Sequence, residues 1–198
     1  MDGAIHRLGP GETPIFSDMS IWDTHRTQQP LLNLLLPSQA VAVVRSLAVM
    51  ARDGGELPRW PLGDVYTGCM IGNHANLIVL DTFLKAPHDA LPPELMNFLL
   101  DAMVQGITNA SGPLGVPQAC EEYQYCPQDK VAHGSAITLA SSFDAWATSR
   151  LASLLNQTET ATAFALRSRW YRNIWNTDKS RFCPRDSTGK WRCAVDPR

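Results

Sequence analysis

The chain has 198 residues, enough for one domain with a substantial core. Hydrophobic residues make up 44% and charged residues only 18%, which points to a soluble fold with a large buried fraction. A formal net charge of −2 leaves no basic footprint for nucleic acid, and no block of like charges marks a tail.

The first dozen residues, Met1 to Glu12, are polar and Gly-containing and lack the apolar core of a signal peptide. Ser20 is an N-cap candidate with Asp23 three residues on, close to a capping box. A helix is predicted from about Ile21 to Leu36, ending at Pro37. The most apolar run, Leu31 to Val44, is interrupted by Asn33, Pro37, Ser38 and Gln39, which argues against a membrane span. A second helix, capped by Ser38, carries Val41, Val44, Leu47, Ala48 and Ala51 at helical spacing until Gly54-Gly55.

Leu57 to Met70 contains several Gly and Pro breaks and reads as a long loop of functional type. A third helix is predicted over Ile71–Lys85. A fourth runs over Pro93–Thr108, with Leu95, Phe98, Leu99, Ala102 and Met103 on one face. Ser111 to Asp129 reads as irregular. A fifth helix fits His133–Leu155, a sixth fits Glu159–Trp175, and Asn176 to Arg198 reads as loop. No strong strand alternation is present. Six helices in three consecutive pairs predict an all-α fold of stacked antiparallel helix hairpins with long loops.

Two close cysteine pairs, Cys120/Cys126 and Cys183/Cys193, flank loop-like sequence. Neither has zinc-site spacing. Disulfides across the two loops, in an oxidising compartment, stand beside the alternative of independent buried thiols. The sequons Asn109-Ala110-Ser111 and Asn156-Gln157-Thr158 lean towards a secretory-pathway chain. Secretion without a signal peptide is consistent only if Met1 is not the true start.

Six landmarks follow one another in order. They are Trp22-Asp23-Thr24-His25-Arg26-Thr27-Gln28 with Pro30-Leu31-Leu32, and Gly55-Glu56-Leu57-Pro58-Arg59-Trp60-Pro61-Leu62. Then come Met70-Ile71-Gly72-Asn73-His74-Ala75, Tyr125-Cys126-Pro127, and Thr138-Leu139 before Phe143-Asp144-Ala145-Trp146. The last is Phe182-Cys183-Pro184-Arg185-Asp186-Ser187-Thr188-Gly189-Lys190-Trp191. With these, the segment from Trp22 to Pro197 resembles glycoside hydrolase family 92, the calcium-dependent exo-acting α-mannosidases. The resemblance implies an (α/α)6 toroid preceded by a β-sandwich, and hydrolysis of terminal α-mannose with inversion.

Inversion uses two carboxyl groups roughly 6.5–9.5 Å apart. In the family the acid stands in a Glu-Gly-Asn motif and the base near a Gly-Gln-Met-Ser motif; neither string occurs here. Residues 1–198 are therefore expected to form a single partial domain, the first half of the toroid. The β-sandwich and the remaining half would be absent, as would a complete catalytic pair. Calcium is implied by the resemblance, with no ligands identified. The implied partner is a mannose-containing oligosaccharide, and the implied location of the full protein is secreted, secretory-pathway or lysosomal.

Trp22 and Asp23 carry the sharpest functional expectation. A carboxylate accepts from neighbouring sugar hydroxyls, and an aromatic face packs on the C–H surface of the ring. Without the resemblance, Asp23 reads as a capping acid and Trp22 as a core aromatic. Arg26, one turn on, either holds Asp23, contacts a hydroxyl or is a surface cation. Trp60 is presented rigidly in its Pro-flanked loop as a pocket wall. His74 is a substrate-binding candidate whose first reading is structural. Glu121 and Glu122, adjacent acids in a loop, read as surface residues. Asp144 matches the family's helix acid, whereas Ala140, Ala145 and Asn76 replace family acids. A non-catalytic carbohydrate-binding or degenerate homologue is therefore the second reading, and a helical scaffold for protein partners the third. Helices meant to pack on a missing half would expose apolar faces such as Leu95/Phe98/Leu99 and drive self-association.

Overall fold

The computed structural model describes residues 5, 7, 14–87, 89–109 and 115–193. The polar N-terminal stretch up to residue 13, the last two positions of the first sequon and the tail from residue 194 lie, almost entirely, outside the described residues. Among the described residues the chain is helical with two small hairpins. The α-helices are α1 (Ile21–Thr24), α2 (Gln28–Leu35), α3 (Pro37–Gly54), α4 (Ala75–Lys85), α5 (Pro93–Thr108), α6 (Gln118–Tyr123), α7 (Gly134–Leu154) and α8 (Thr158–Arg167). Strands β1 (Pro61–Leu62) and β2 (Val65–Tyr66) pair antiparallel, as do β3 (Trp175–Asn176) and β4 (Arg181–Phe182). The all-α class of packed helices holds, with eight α-helices among the described residues rather than six, and with two short hairpins where loop, or for Trp175 the end of the sixth helix, was expected.

The differences have local causes. The expected Ile21–Leu36 helix is two helices, broken at His25–Thr27. Pro30 explains the break. Inside a continuous helix its ring would clash one turn back and its missing N–H would leave a carbonyl unpaired. In the first turn of α2 it costs nothing. Ser20 makes no side-chain cap bond to α1, so the capping-box reading of Asp23 does not hold. Pro37 likewise opens α3 rather than merely ending its predecessor.

The third helix starts at Ala75, four residues later than expected. Met70 and Gly72 before it have φ of 64° and 80°, outside the helical region. A Cβ at Gly72 would also lie 2.6 Å from His74 Cε1, so glycine is required there by space as well as by φ. The sixth helix ends at Arg167 and resumes as a 3-10 turn over Trp170–Ile174. Ser142 Oγ accepts the Tyr171 N–H at 3.1 Å, diverting it from an α-helical partner, and the chain then enters the β3–β4 hairpin.

The core lies between α3, α4, α5 and α7. Leu47, Met50, Ile78, Met96, Leu99, Leu100, Met103 and Leu151 are all buried in it. Leu99 was expected on an exposed face but is fully buried; Phe98, its neighbour, is 39% exposed. Other exposed apolar residues include Leu31, Leu34 and Leu35 on α2 and Phe143 and Trp146 on α7. The 16-residue α5 turns Leu99 inward because it is covered on two sides, by α3 and α7.

A smaller cluster of Ile107, Val116, Cys120, Cys126, Val131, Ala145 and Phe164 closes the other end of α7. Cys120 is disulfide-bonded to Cys126 and Cys183 to Cys193; Cys69 is free and exposed. Among the described residues no helix is long and apolar enough to cross a membrane.

Candidate functional site

The site is built around one buried carboxylate. Asp144 sits in the middle of α7 with none of its surface exposed. A buried charge is costly unless it is paired and hydrogen-bonded. Both oxygens are satisfied. Asn73 N–H donates to Oδ2 at 2.6 Å and His74 Nδ1–H donates to Oδ1 at 2.7 Å. These donors come from the turn before α4, and the left-handed Gly72 aims them at α7. Asn73 Nδ2 donates onward to Gly106 O in α5 at 2.9 Å, so three helices meet here.

The network continues to α1. The His25 ring stacks on His74 with centroids 4.2 Å apart and faces Phe143 at 6.5 Å. His25 Nδ1 is 3.0 Å from Ile21 O. A carbonyl can only accept, so Nδ1 carries the proton and Nε2 of the neutral ring is an acceptor. Arg26 Nε–H donates to that Nε2 at 3.2 Å. Burial, then the neighbouring His74, lower the His25 pKa below the ordinary 6.5, against the opposing Ile21 hydrogen bond; Arg26 lowers it further and Asp144 raises it. His25 is therefore neutral at pH 7.

Arg59 approaches from the loop before β1. Its Nε–H donates to Gly72 O at 2.8 Å and its Nη1–H to Met70 O at 2.9 Å, holding the turn that carries Asn73 and His74. Burial lowers its pKa, opposed by Asp144 and Glu56. A small cavity of about 190 Å³ lies against Arg59, Gly72, Asn73, Ser141 and Asp144. That is room for about six waters at about 30 Å³ each.

Of the residues singled out from sequence, the structure brings His74 and Arg26 into one connected network through His25. Asp23 and Trp22 lie on the same short helix, Asp23 exposed and Trp22 half-buried. Arg26 bonds His25 rather than Asp23. Trp60 is half-buried, and its carbonyl accepts the Thr67 Oγ1–H at 2.8 Å. It is linked to the network through its neighbour Arg59. Glu121 is exposed, in keeping with its surface reading, and pairs with the buried Arg167, which also lies over the Trp170 ring at 4.4 Å.

Sequence reasoning passed over His25 and Arg59. The signal for His25 is its position four residues after the buried Ile21, on the same inward side just past the end of α1. Among the positions where acids are replaced, Ala145 is wholly buried in the smaller apolar cluster. Asn76 donates to Thr148 Oγ1 at 3.1 Å, while its Oδ1 is buried without a partner.

Among the described residues no group of three or more His, Cys, Asp or Glu side chains is placed to hold a metal ion.

The model of the glycosyl hydrolase family 92 catalytic domain matches residues 1–198. Among solved structures the chain is similar to a family GH92 inverting mannosidase of Bacteroides thetaiotaomicron VPI-5482, with 24% identity and a TM-score of 0.79 over 92% of this chain and 25% of that one. A second family GH92 α-mannosidase of Bacteroides thetaiotaomicron matches with 23% identity and a TM-score of 0.72, over 92% of this chain and 24% of that one. The same enzyme in complex with mannoimidazole matches equally. At these identities the likeness is one of fold. The chain spans about a quarter of the length of these mannosidases. No curated protein matches the sequence.

Proposed function

Because the chain belongs to glycosyl hydrolase family 92, we propose that it forms the sugar-holding wall of an inverting exo-α-mannosidase acting on terminal α-mannose of N-glycan or mannan type. The observation that carries this is the anchoring of α1. Asp144, His74 and His25 tie that helix to α4 and α7, so Trp22, Asp23 and Arg26 are fixed relative to the core. A sugar site needs such rigidity, because a small misplacement of binding groups erodes the gain from orientation.

Asp23 supplies a hydroxyl-accepting carboxylate, Arg26 a hydroxyl donor and Trp22 an aromatic face. Trp60 would wall the pocket from the β1–β2 side, and His74 acts from behind the wall. The general acid and base are not among these groups. Asp144 is buried and each of its oxygens already accepts from a protein donor, so it serves the network rather than the sugar. The binding of mannoimidazole by a similar enzyme supports a mannose-type ligand. The two disulfides and the exposed Asn156 of the second sequon support a secretory or lysosomal setting. Calcium is the cofactor this reading carries, a cation that takes carboxylate, carbonyl and water oxygens.

The test is α-linked mannobiose offered to this chain with calcium. Binding without hydrolysis, abolished by Asp23→Ala, is expected. Turnover that Asp23→Ala abolishes would overturn the division of labour. The second reading, a non-catalytic mannose-binding homologue, is favoured by Ala145. An acid there would sit among Ile107, Val116 and Phe164. The two readings separate on whether the protein containing this chain turns over mannobiose at all.

A further inference from the structure

We propose that His25 is a positioning residue. By accepting Arg26 Nε–H, it aims the guanidinium so that both terminal NH2 groups face a pair of neighbouring sugar hydroxyls. The proposal rests on the mannose-binding reading for the identity of the sugar, but not for the geometry.

Several observations converge on it. His25 is 6% exposed, whereas Arg26, the next residue, is exposed. Arg26 is thus a solvent-facing cation tethered at its inner nitrogen to a buried ring, at 3.2 Å. Among the described residues, none accepts from its terminal nitrogens. A guanidinium held at Nε keeps its planar fork free for two parallel hydrogen bonds, a geometry matched to paired oxygens.

The ring that holds it is itself over-determined. Nδ1–H is fixed on Ile21 O, one face lies on His74, and Phe143 closes the side. His74 in turn is fixed by Asp144. The order from core to surface is Asp144, His74, His25, Arg26. A phenylalanine at position 25 would fill the space and stack, but would accept nothing.

The arrangement works only while His25 Nε2 is unprotonated. A proton there turns the acceptor into a donor facing Arg26. The charged and titratable groups facing His25 are Arg26 beside it in the turn between α1 and α2, His74 before α4 and Asp144 on α7. The first two oppose protonation and the third favours it. The balance keeps the ring neutral to a lower pH than a free imidazole, so the tether persists at neutral pH and fails on acidification.

The test uses this chain, methyl α-D-mannopyranoside as probe, and three proteins: wild type, His25→Phe and His25→Gln. Glutamine returns an acceptor without a titrating ring. In the wild type the Arg26 Nε–H resonance is expected to be slow to exchange and to shift as His25 titrates, a measurement that needs no variant. His25→Phe is expected to lose that protection and bind the mannoside about tenfold more weakly, the scale of one lost charge-assisted hydrogen bond. His25→Gln is expected to recover affinity and lose its fall on acidification. An Arg26 Nε–H that ignores the titration of His25, or is unchanged in a folded His25→Phe, overturns the positioning role whatever the sugar does. Failure of the wild type to bind the mannoside, with Arg26 still coupled to His25, overturns the mannose reading and leaves the positioning role upheld.

Discussion

Replacing Asp144 by asparagine isolates the charge at the centre of the network from its shape. The side chain is isosteric, so no cavity forms and the helix is untouched. The oxygen of the new amide can still accept from His74 Nδ1–H. Its nitrogen then faces the Asn73 N–H that bonded Oδ2 at 2.6 Å, and two donors are buried against each other. One hydrogen bond to a charged acceptor is lost, worth about 1.5–3 kcal/mol, and a buried donor is stranded for about 1–3 kcal/mol more. We expect a net loss of about 3 kcal/mol.

For a domain of this size about 1 kcal/mol moves Tm by roughly 2–4 °C, so Tm should fall by about 6–12 °C at pH 7. Urea unfolding should show a lower midpoint with an unchanged slope, since the surface exposed on unfolding is the same. Asp144→Ala strands both donors and should fall further. A Tm within about 1 °C of wild type for Asp144→Asn would refute the claim that this carboxylate ties α4 to α7.

Three further outcomes follow from the geometry. Gly72→Ala combines a φ of 80° with a Cβ 2.6 Å from the His74 ring; it should lower stability by at least about 1–2 kcal/mol and displace the His74 ring resonances, while a wild-type His74 spectrum would contradict it. Asp186 is held down to about 2 from the usual 3.8, first by the Thr188 hydroxyl and also by the Lys190 N–H and Arg192, against the opposing effect of burial. A depressed carboxyl contributes stability that is complete above 3.8 and lost as pH falls through about 2. The loop from Arg185 to Trp191 should therefore loosen below about pH 4 in the wild type, and already at pH 7 in Asp186→Asn, as read by amide exchange at Lys190. Leu34 and Leu35 on α2 are 71% and 68% exposed, and we expect concentration-dependent self-association in sedimentation that Leu34→Lys with Leu35→Glu suppresses; a monomer at every concentration would remove that expectation.

Much of the fold was legible because helix periods and Pro/Gly punctuation are local signals. α5 appears over the residues expected of it. α3 and α7 are right to within a residue or two. The misreadings share one cause, a backbone group claimed by a distant partner. Asn73 N–H goes to a carboxylate on α7, and Tyr171 N–H goes to the Ser142 hydroxyl. Neither partner is near in sequence, so no window could register it. Pro30 is an exception: it is a local signal inside the expected Ile21–Leu36 helix, and it marks the first turn of α2.

The site was half legible for the same reason. Trp22, Asp23 and Arg26 stand out by chemical type, and Asp144 and Asn73 by their motifs. His25, between them, reads as one polar residue among several. Its role depends on a ring 49 positions away and on Asp144 beyond it, which only the fold brings together. Arg59 was hidden likewise, its partners being the carbonyls of Gly72 and Met70.

The central claim is that α1 presents a mannose-binding wall. It is tested most directly by titrating methyl α-D-mannopyranoside into this chain while following the Trp22 indole N–H and the Arg26 Nε–H by NMR. Saturable shifts at both, absent with methyl α-D-glucopyranoside and lost in Asp23→Ala, are what the account requires. No shift at Trp22, or equal shifts with both sugars that survive Asp23→Ala, would contradict it.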